Sequence, residues 1–138
     1  MPKTLPALFL ACVVTLAASQ AQALSGFWTA SAPGSYEGRL ASSGLSLVVV
    51  TTLYVSNGEL VGGYTFYEDS DTGVSGTLDS FKQTGVNSCN FVWHDQYGSG
   101  VLNLTFASDG SSFTGEWSAY GYPSQTFPWD GYKLNSPE

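Results

Sequence analysis

The chain has 138 residues, with 11 Asp and Glu against only 4 Lys and Arg, for a formal net charge of −7. Cations this few and this scattered exclude a phosphate-tracking surface for nucleic acid and a docking surface for anionic lipid. A strongly acidic balance instead keeps a small domain soluble.

The N-terminus reads as an export signal. Lys3 precedes an apolar run from Leu5 to Ala18, shorter than the roughly 20 residues of a membrane span. Ala21-Gln22-Ala23 follows as a small-x-small cleavage site. No basic flank follows to stop transfer, and a lipoprotein cut at Cys12 would split the apolar run before Val13, Val14 and Leu16. The expectation is a signal peptide over residues 1–23 and one domain over residues 24–138. The mature protein would be secreted or periplasmic and would have no membrane span. Arg39, Lys82 and Lys133 are then its only basic residues. Cys12 leaves with the signal, so Cys89 cannot form an internal disulfide. It is expected as a small buried apolar residue, with an intermolecular bridge as the alternative.

After residue 24 no helix is expected. Thr, Val, Tyr, Phe and Trp dominate the apolar segments, and Gly and Ser interrupt them. In chain order the strand candidates are Phe27 to Ser31, Tyr36 to Leu40, Leu45 to Val55, Leu60 to Tyr67 and Val74 to Asp79. Cys89, Phe91 and Trp93 then alternate with Asn90, Val92 and His94, and Leu102, Leu104 and Phe106 alternate with Asn103 and Thr105. Phe113 to Ser118 and Trp129 to Leu134 close the series, with Tyr120 to Phe127 as an aromatic loop between them. Asn57-Gly58 predicts a two-residue hairpin turn, because both residues tolerate positive φ. About eight strands joined by short turns predict an all-β fold, a small antiparallel up-and-down β-barrel, in which closure removes the sheet edges.

Two patterns sharpen this. Apolar-x-Gly-x-apolar recurs at Tyr36 to Leu40, Val74 to Leu78 and Phe113 to Trp117, with a looser copy at Val61 to Thr65. A glycine weakens a strand, so it is expected to serve tight coiling or to lie under a neighbour's aromatic ring. On the longest strand, Leu45, Leu47, Val49, Leu53 and Val55 share the inward face. Val48, Val50 and Tyr54 then make the outer face apolar, which points to a homo-oligomer through that face.

Gly26-Phe27-Trp28 resembles the Gly-x-Trp that opens lipocalin and avidin-like barrels, the calycins. Trp129-Asp130-Gly131-Tyr132-Lys133 resembles their last strand, which sets a basic residue over that Trp; here Lys133 stands where Arg is usual. Phe113-Thr114-Gly115-Glu116-Trp117 is similar to an avidin strand. The resemblance implies a barrel with Trp28 and Lys133 as structural residues. The stretch after Trp28 lacks the expected Asn and the full set of biotin-contacting polar residues finds no match, so the resemblance supports a barrel far more than it supports biotin as the ligand. A cation over an indole face would contribute roughly 0.5–2 kcal/mol.

Chemistry is sparse. His94, the single histidine, is expected on the outer face beside Asp95, and Glu37 and Glu116 are expected to point to solvent, so no catalytic residues are predicted. Asp69-x-Asp71-x-Gly73 begins like a calcium loop, but Val74-Ser75-Gly76 supplies no closing ligand. One His and one Cys exclude a zinc site by spacing. No metal or cofactor is expected. Asn103-Leu104-Thr105 is a glycosylation sequon whose Asn should face outward. The functional hint lies in the aromatics. Tyr64, Trp93 and Trp117 are expected to line a pocket, with Tyr120, Tyr122 and Phe127 at its mouth, for a small molecule or glycan. The alternative is an interaction or adhesion module, a filled barrel that meets a protein or glycan through its outer face and aromatic loop. A cavity of about 300 Å³ or more favours the first reading; two carboxylates facing one cleft would point to an enzyme.

Overall fold

The computed structural model describes residues 24–135; the expected signal peptide lies outside them. The chain forms β1 (Gly34–Ser42), β2 (Leu45–Ser56), β3 (Glu59–Tyr67), β4 (Gly73–Gln83), β5 (Ser88–Asp95), β6 (Gly98–Phe106), β7 (Ser112–Ala119), β8 (Tyr122–Pro128) and β9 (Gly131–Lys133). Each strand from β1 to β7 pairs antiparallel with the next. The last strand is bent into two parts. β8 pairs with β7, and β9 pairs with both β7 and β1. The sheet therefore closes on itself as an eight-stranded antiparallel up-and-down barrel.

Period-two alternation places the core. Cys89, Phe91 and Trp93 are buried on β5, and Leu102, Leu104 and Phe106 on β6. On β2 the buried set is Val49, Thr51 and Leu53, while Leu45 and Val55 are exposed at the strand's two ends. Tyr54 is exposed on the outer face, and Val48 and Val50 are half-buried there opposite Tyr67 and Thr65. Asn57 and Gly58 form the β2–β3 turn with φ of 53° and 81°. Burial pushes the Cys89 thiol up to about 12, and in the core it is not placed to bridge to another chain.

Three expectations need correction. Phe27–Ser31 is a helical turn of π type, not a strand. An extended chain would send Phe27 and Trp28 to opposite faces; the turn lets both rings pack on Phe106, at 5.8 Å each between centroids. Second, the aromatic loop is largely strand β8. As the end strand of the sheet order it tolerates Pro123, and its register against β7 is irregular between Trp117 and Ala119. Third, Lys133 does not lie over Trp28. Its Nζ sits over the Tyr36 ring, 5.4 Å from the centroid, and donates to the Ser31 carbonyl. The helical turn moves Trp28 inward, under Phe27, Phe81 and Phe106.

These contacts plug one end of the barrel. The Tyr36 hydroxyl donates to the Ala32 carbonyl at 2.6 Å, and its ring packs on Phe106 and Phe113. The opposite end carries the β1–β2, β3–β4, β5–β6 and β7–β8 connections. Between the two ends the seam is closed by Trp129 and Asp130. The Trp129 N–H donates to the Gly115 carbonyl and the Asp130 N–H to the Arg39 carbonyl, while Asp130 Oδ1 accepts from the Arg39 N–H. A Cβ at Gly38 would lie 2.0 Å from the Asp130 carbonyl oxygen, and one at Gly115 2.8 Å from the Trp129 carbonyl oxygen. Both recurring-motif glycines are thus gaps through which the closing segment passes. Gly38→Ala and Gly115→Ala should each cost about 1–3 kcal/mol of unfolding free energy. Gly121→Ala, with open space around its Cβ, should change little. Urea denaturation followed by tryptophan fluorescence measures all three, and equal midpoints would refute the close passage.

Candidate functional site

The open end of the barrel holds a pocket of about 430 Å³. Its lining comes from alternate strands and the connections that follow them. Leu40 and Ser42 lie on β1, Tyr64 and Phe66 on β3, Trp93 and Asp95 on β5, and Trp117 on β7. Ser43, Glu68, Tyr97 and Trp129 complete it. Strand direction explains the selection: β1, β3, β5 and β7 all run toward this end. The intervening strands leave room for the rings. Tyr64 pairs across with Gly76, and Trp93 with Gly100. A Cβ at Gly76 would lie 2.3 Å from the Tyr64 ring. Large residues beside glycine are how a small barrel fits its interior.

Two pairs of rings stand at steep angles, and a third, Tyr64 with Phe66, is nearly parallel at 13°. Trp93 and Trp117 meet edge to face at 89° and 5.5 Å, and Tyr64 meets Trp129 at 72° and 4.7 Å. Every indole N–H in the pocket is already spent. Trp93 Nε1 donates to the Ser118 carbonyl, Trp117 Nε1 to the Ala41 carbonyl, and Trp129 Nε1 to Thr51 Oγ1. The Trp117 bond ties β7 to β1 beyond the last ladder pair, Leu40 with Trp129. Both pocket phenols serve carboxylates. The Tyr64 hydroxyl donates to Asp95 Oδ2 at 2.7 Å, and the Tyr97 hydroxyl to Glu68 Oε2 at 2.8 Å. Asp95 Oδ1 accepts from the Tyr97 N–H, so one loop links both acids. Burial first, then the hydrogen bond and charge of Asp95, pushes the Tyr64 phenol far above its ordinary range.

Tyr64, Trp93 and Trp117 therefore sit together in one pocket. Tyr120 and Tyr122 stand at the same end but line no part of it, and Tyr122 is 66% exposed. Phe127 packs behind Trp117, with centroids 4.9 Å apart. The mouth is instead formed by Tyr97, Glu68 and Asp95, from the end of β5 and the connections after β3 and β5. The alternation that put Trp93 inside also puts Asp95 inside, two residues on, and that signal was available. The meeting of Glu68 with Tyr97 is set by the pairing of β3, β4 and β5, which carries the two connections side by side, and it left no local trace.

His94 faces outward as expected, but its partner is not Asp95. Its Nδ1 lies 2.9 Å from Ser99 Oγ and its Nε2 3.2 Å from Asp79 Oδ1. This row contains the residue types of a hydrolytic triad, yet it runs across the outer wall and none of its members lines the pocket. Glu37 and Glu116 are exposed on the same outer wall. In the acidic loop, Asp69 Oδ1 accepts from the N–H groups of Asp71 and Thr72. Those bonds hold its carboxyl below the usual range and fold the loop on itself. Among the described residues, no three His, Cys, Asp or Glu side chains converge as metal ligands.

Tyr64→Phe removes a donor to a half-buried charge and should cost about 1.5–3 kcal/mol. Alkaline pH should act through the buried groups. Cys89, Tyr36 and Tyr64 all hold their protons more tightly folded than unfolded. Their contribution is complete below the unfolded thiol value of about 9 and is lost as pH rises beyond it. The urea midpoint should fall more steeply above pH 9 than between pH 7 and 9; an unchanged slope would contradict the burial of these three groups. No protein-family model matches the chain, and no curated protein shows significant similarity to it.

Proposed function

We propose that the chain is an exported, non-catalytic barrel of calycin-like architecture that binds a small organic ligand in the open-end pocket. The observation that carries this reading is the pocket itself. Its volume of about 430 Å³ falls within the range typical of small-molecule sites, and aromatic faces make up most of its walls. One barrel end is plugged by Trp28, Phe106 and Tyr36, so a ligand has a single direction of entry. A filled barrel, as an adhesion module would have, leaves no such space. Export rests on the sequence pattern of residues 1–23. The calycin-like reading is supported by the closed eight-stranded barrel and by a Trp at the plugged end.

Two carboxylates, Asp95 and Glu68, do share the pocket, the feature that would favour an enzyme. Each already accepts a tyrosine hydroxyl's hydrogen, and no histidine or cysteine accompanies them. They serve in this reading as ligand acceptors. N-phenyl-1-naphthylamine, a neutral apolar dye, should bind one per barrel with a rise in fluorescence. Ser42→Trp, which fills the pocket from its lip, should lose that signal while keeping the β-sheet circular dichroism spectrum. Undiminished dye binding by Ser42→Trp, or none by the native protein, would end the proposal.

A further inference from the structure

We infer that the ligand of this pocket is an organic cation, an amine or quaternary ammonium carrying an apolar group; the inference rests on the ligand-binding reading above. The hydrogen-bond inventory comes first. The three indole N–H groups and the two phenol hydroxyls all donate within the protein. What the walls still present is ring faces, carboxylate lone pairs and the hydroxyls of Ser42 and Ser43. The aromatic side chains thus leave a ligand no donor, and beside the two carboxylates the side-chain donors in the lining are the hydroxyls of Ser42 and Ser43.

Charge points the same way. Asp95 and Glu68 both line the pocket, and among the described residues no Lys, Arg or His does. Lys133, whose ammonium covers the Tyr36 ring, is committed at the plugged end to that ring and to the Ser31 carbonyl. A half-enclosed space with two carboxylates and no cation concentrates negative potential. Ring geometry then separates a cation from a polyol. A sugar stacks on a flat, open aromatic platform. Here Trp93 and Trp117 stand at 89° and Tyr64 and Trp129 at 72°, while Tyr64 and Phe66 lie nearly parallel at 13°. Rings from several strands and connections thus surround one volume, and π faces on several sides are the arrangement that recognises ammonium groups.

Calorimetry with three probes of one shape tests this: 2-phenylethylamine (cationic at pH 7), 2-phenylethanol (neutral) and 3-phenylpropanoate (anionic). The amine should bind at least about tenfold more tightly than the alcohol, the scale of one cation–π contact with a screened ion pair. The propanoate should be rejected, and added salt should weaken the amine alone. Asp95→Asn and, at the more exposed rim, Glu68→Gln should each weaken the amine by a larger factor than they weaken the alcohol. Either variant suffices if the other fails to fold. Equal binding of amine and alcohol, or tighter binding of methyl β-glucoside than of the amine, would overturn the cationic ligand and leave the ligand-binding reading intact. So would rejection of all these probes by a protein that still takes up the naphthylamine dye. Loss of the dye as well would bring down both.

Discussion

The structure depends on how its last strand crosses the seam. An up-and-down meander is only a ribbon until its final strand meets its first, and here that strand is short of pairing. Between β8 and β9 the chain bends at Trp129 and Asp130, and its carbonyls press into spaces where Gly38 and Gly115 have no side chain. The same few residues exchange backbone bonds with Arg39 and Gly115. Close approach and hydrogen bonding are one event: without the glycines the carbonyls could not come near enough for the amides beside them to pair. Closure also turns the Trp129 indole inward, where it meets Thr51 and Tyr64.

From that seam the two ends of the barrel diverge. Toward β9 the ladder continues, Lys133 and Tyr132 pair with Tyr36 and Glu37, and the helical turn caps the interior. Toward β8 the ladder with β1 stops at Leu40. The gap is spanned by one side chain, Trp117, whose N–H reaches the Ala41 carbonyl. The pocket thus exists at the end where backbone pairing gives out and indoles substitute for it.

Much of this was legible in the sequence because strand alternation is local. Phe91 and Trp93 face inward for the same reason Val92 and His94 face outward, and no distant contact is needed to decide it. Asn57-Gly58 was legible because positive φ has a chemical signature. The repeated glycines announced a steric purpose, though only closure shows that Gly38 and Gly115 admit backbone while Gly76 admits a ring. Phe27 to Ser31 was misread because its composition suits a strand, and the requirement that both rings reach Phe106 is tertiary. Lys133 followed the same error: once Trp28 turned inward, Tyr36 was the ring left beneath the cation. Tyr120 and Tyr122 drew attention through density of aromatics alone, which says nothing about the side of the wall they occupy.

The character of the pocket follows from direction and register together. Only strands running toward the open end deliver their last inward residues to it, which is why Tyr64, Trp93 and Trp117 meet there with Asp95. Trp93 and Trp117 find backbone carbonyls of the wall within reach and Trp129 finds the Thr51 hydroxyl, so their N–H groups are satisfied by the barrel and their faces are left to the interior. Phenols reach further, to the rim, and find the carboxylates of Asp95 and Glu68 instead. Each tryptophan and tyrosine that builds this space therefore uses its own donor in doing so. A barrel end constructed from tryptophan and tyrosine over an acidic rim becomes rich in acceptors and π faces and poor in donors. Its preference for a positively charged guest is a consequence of how it holds itself together.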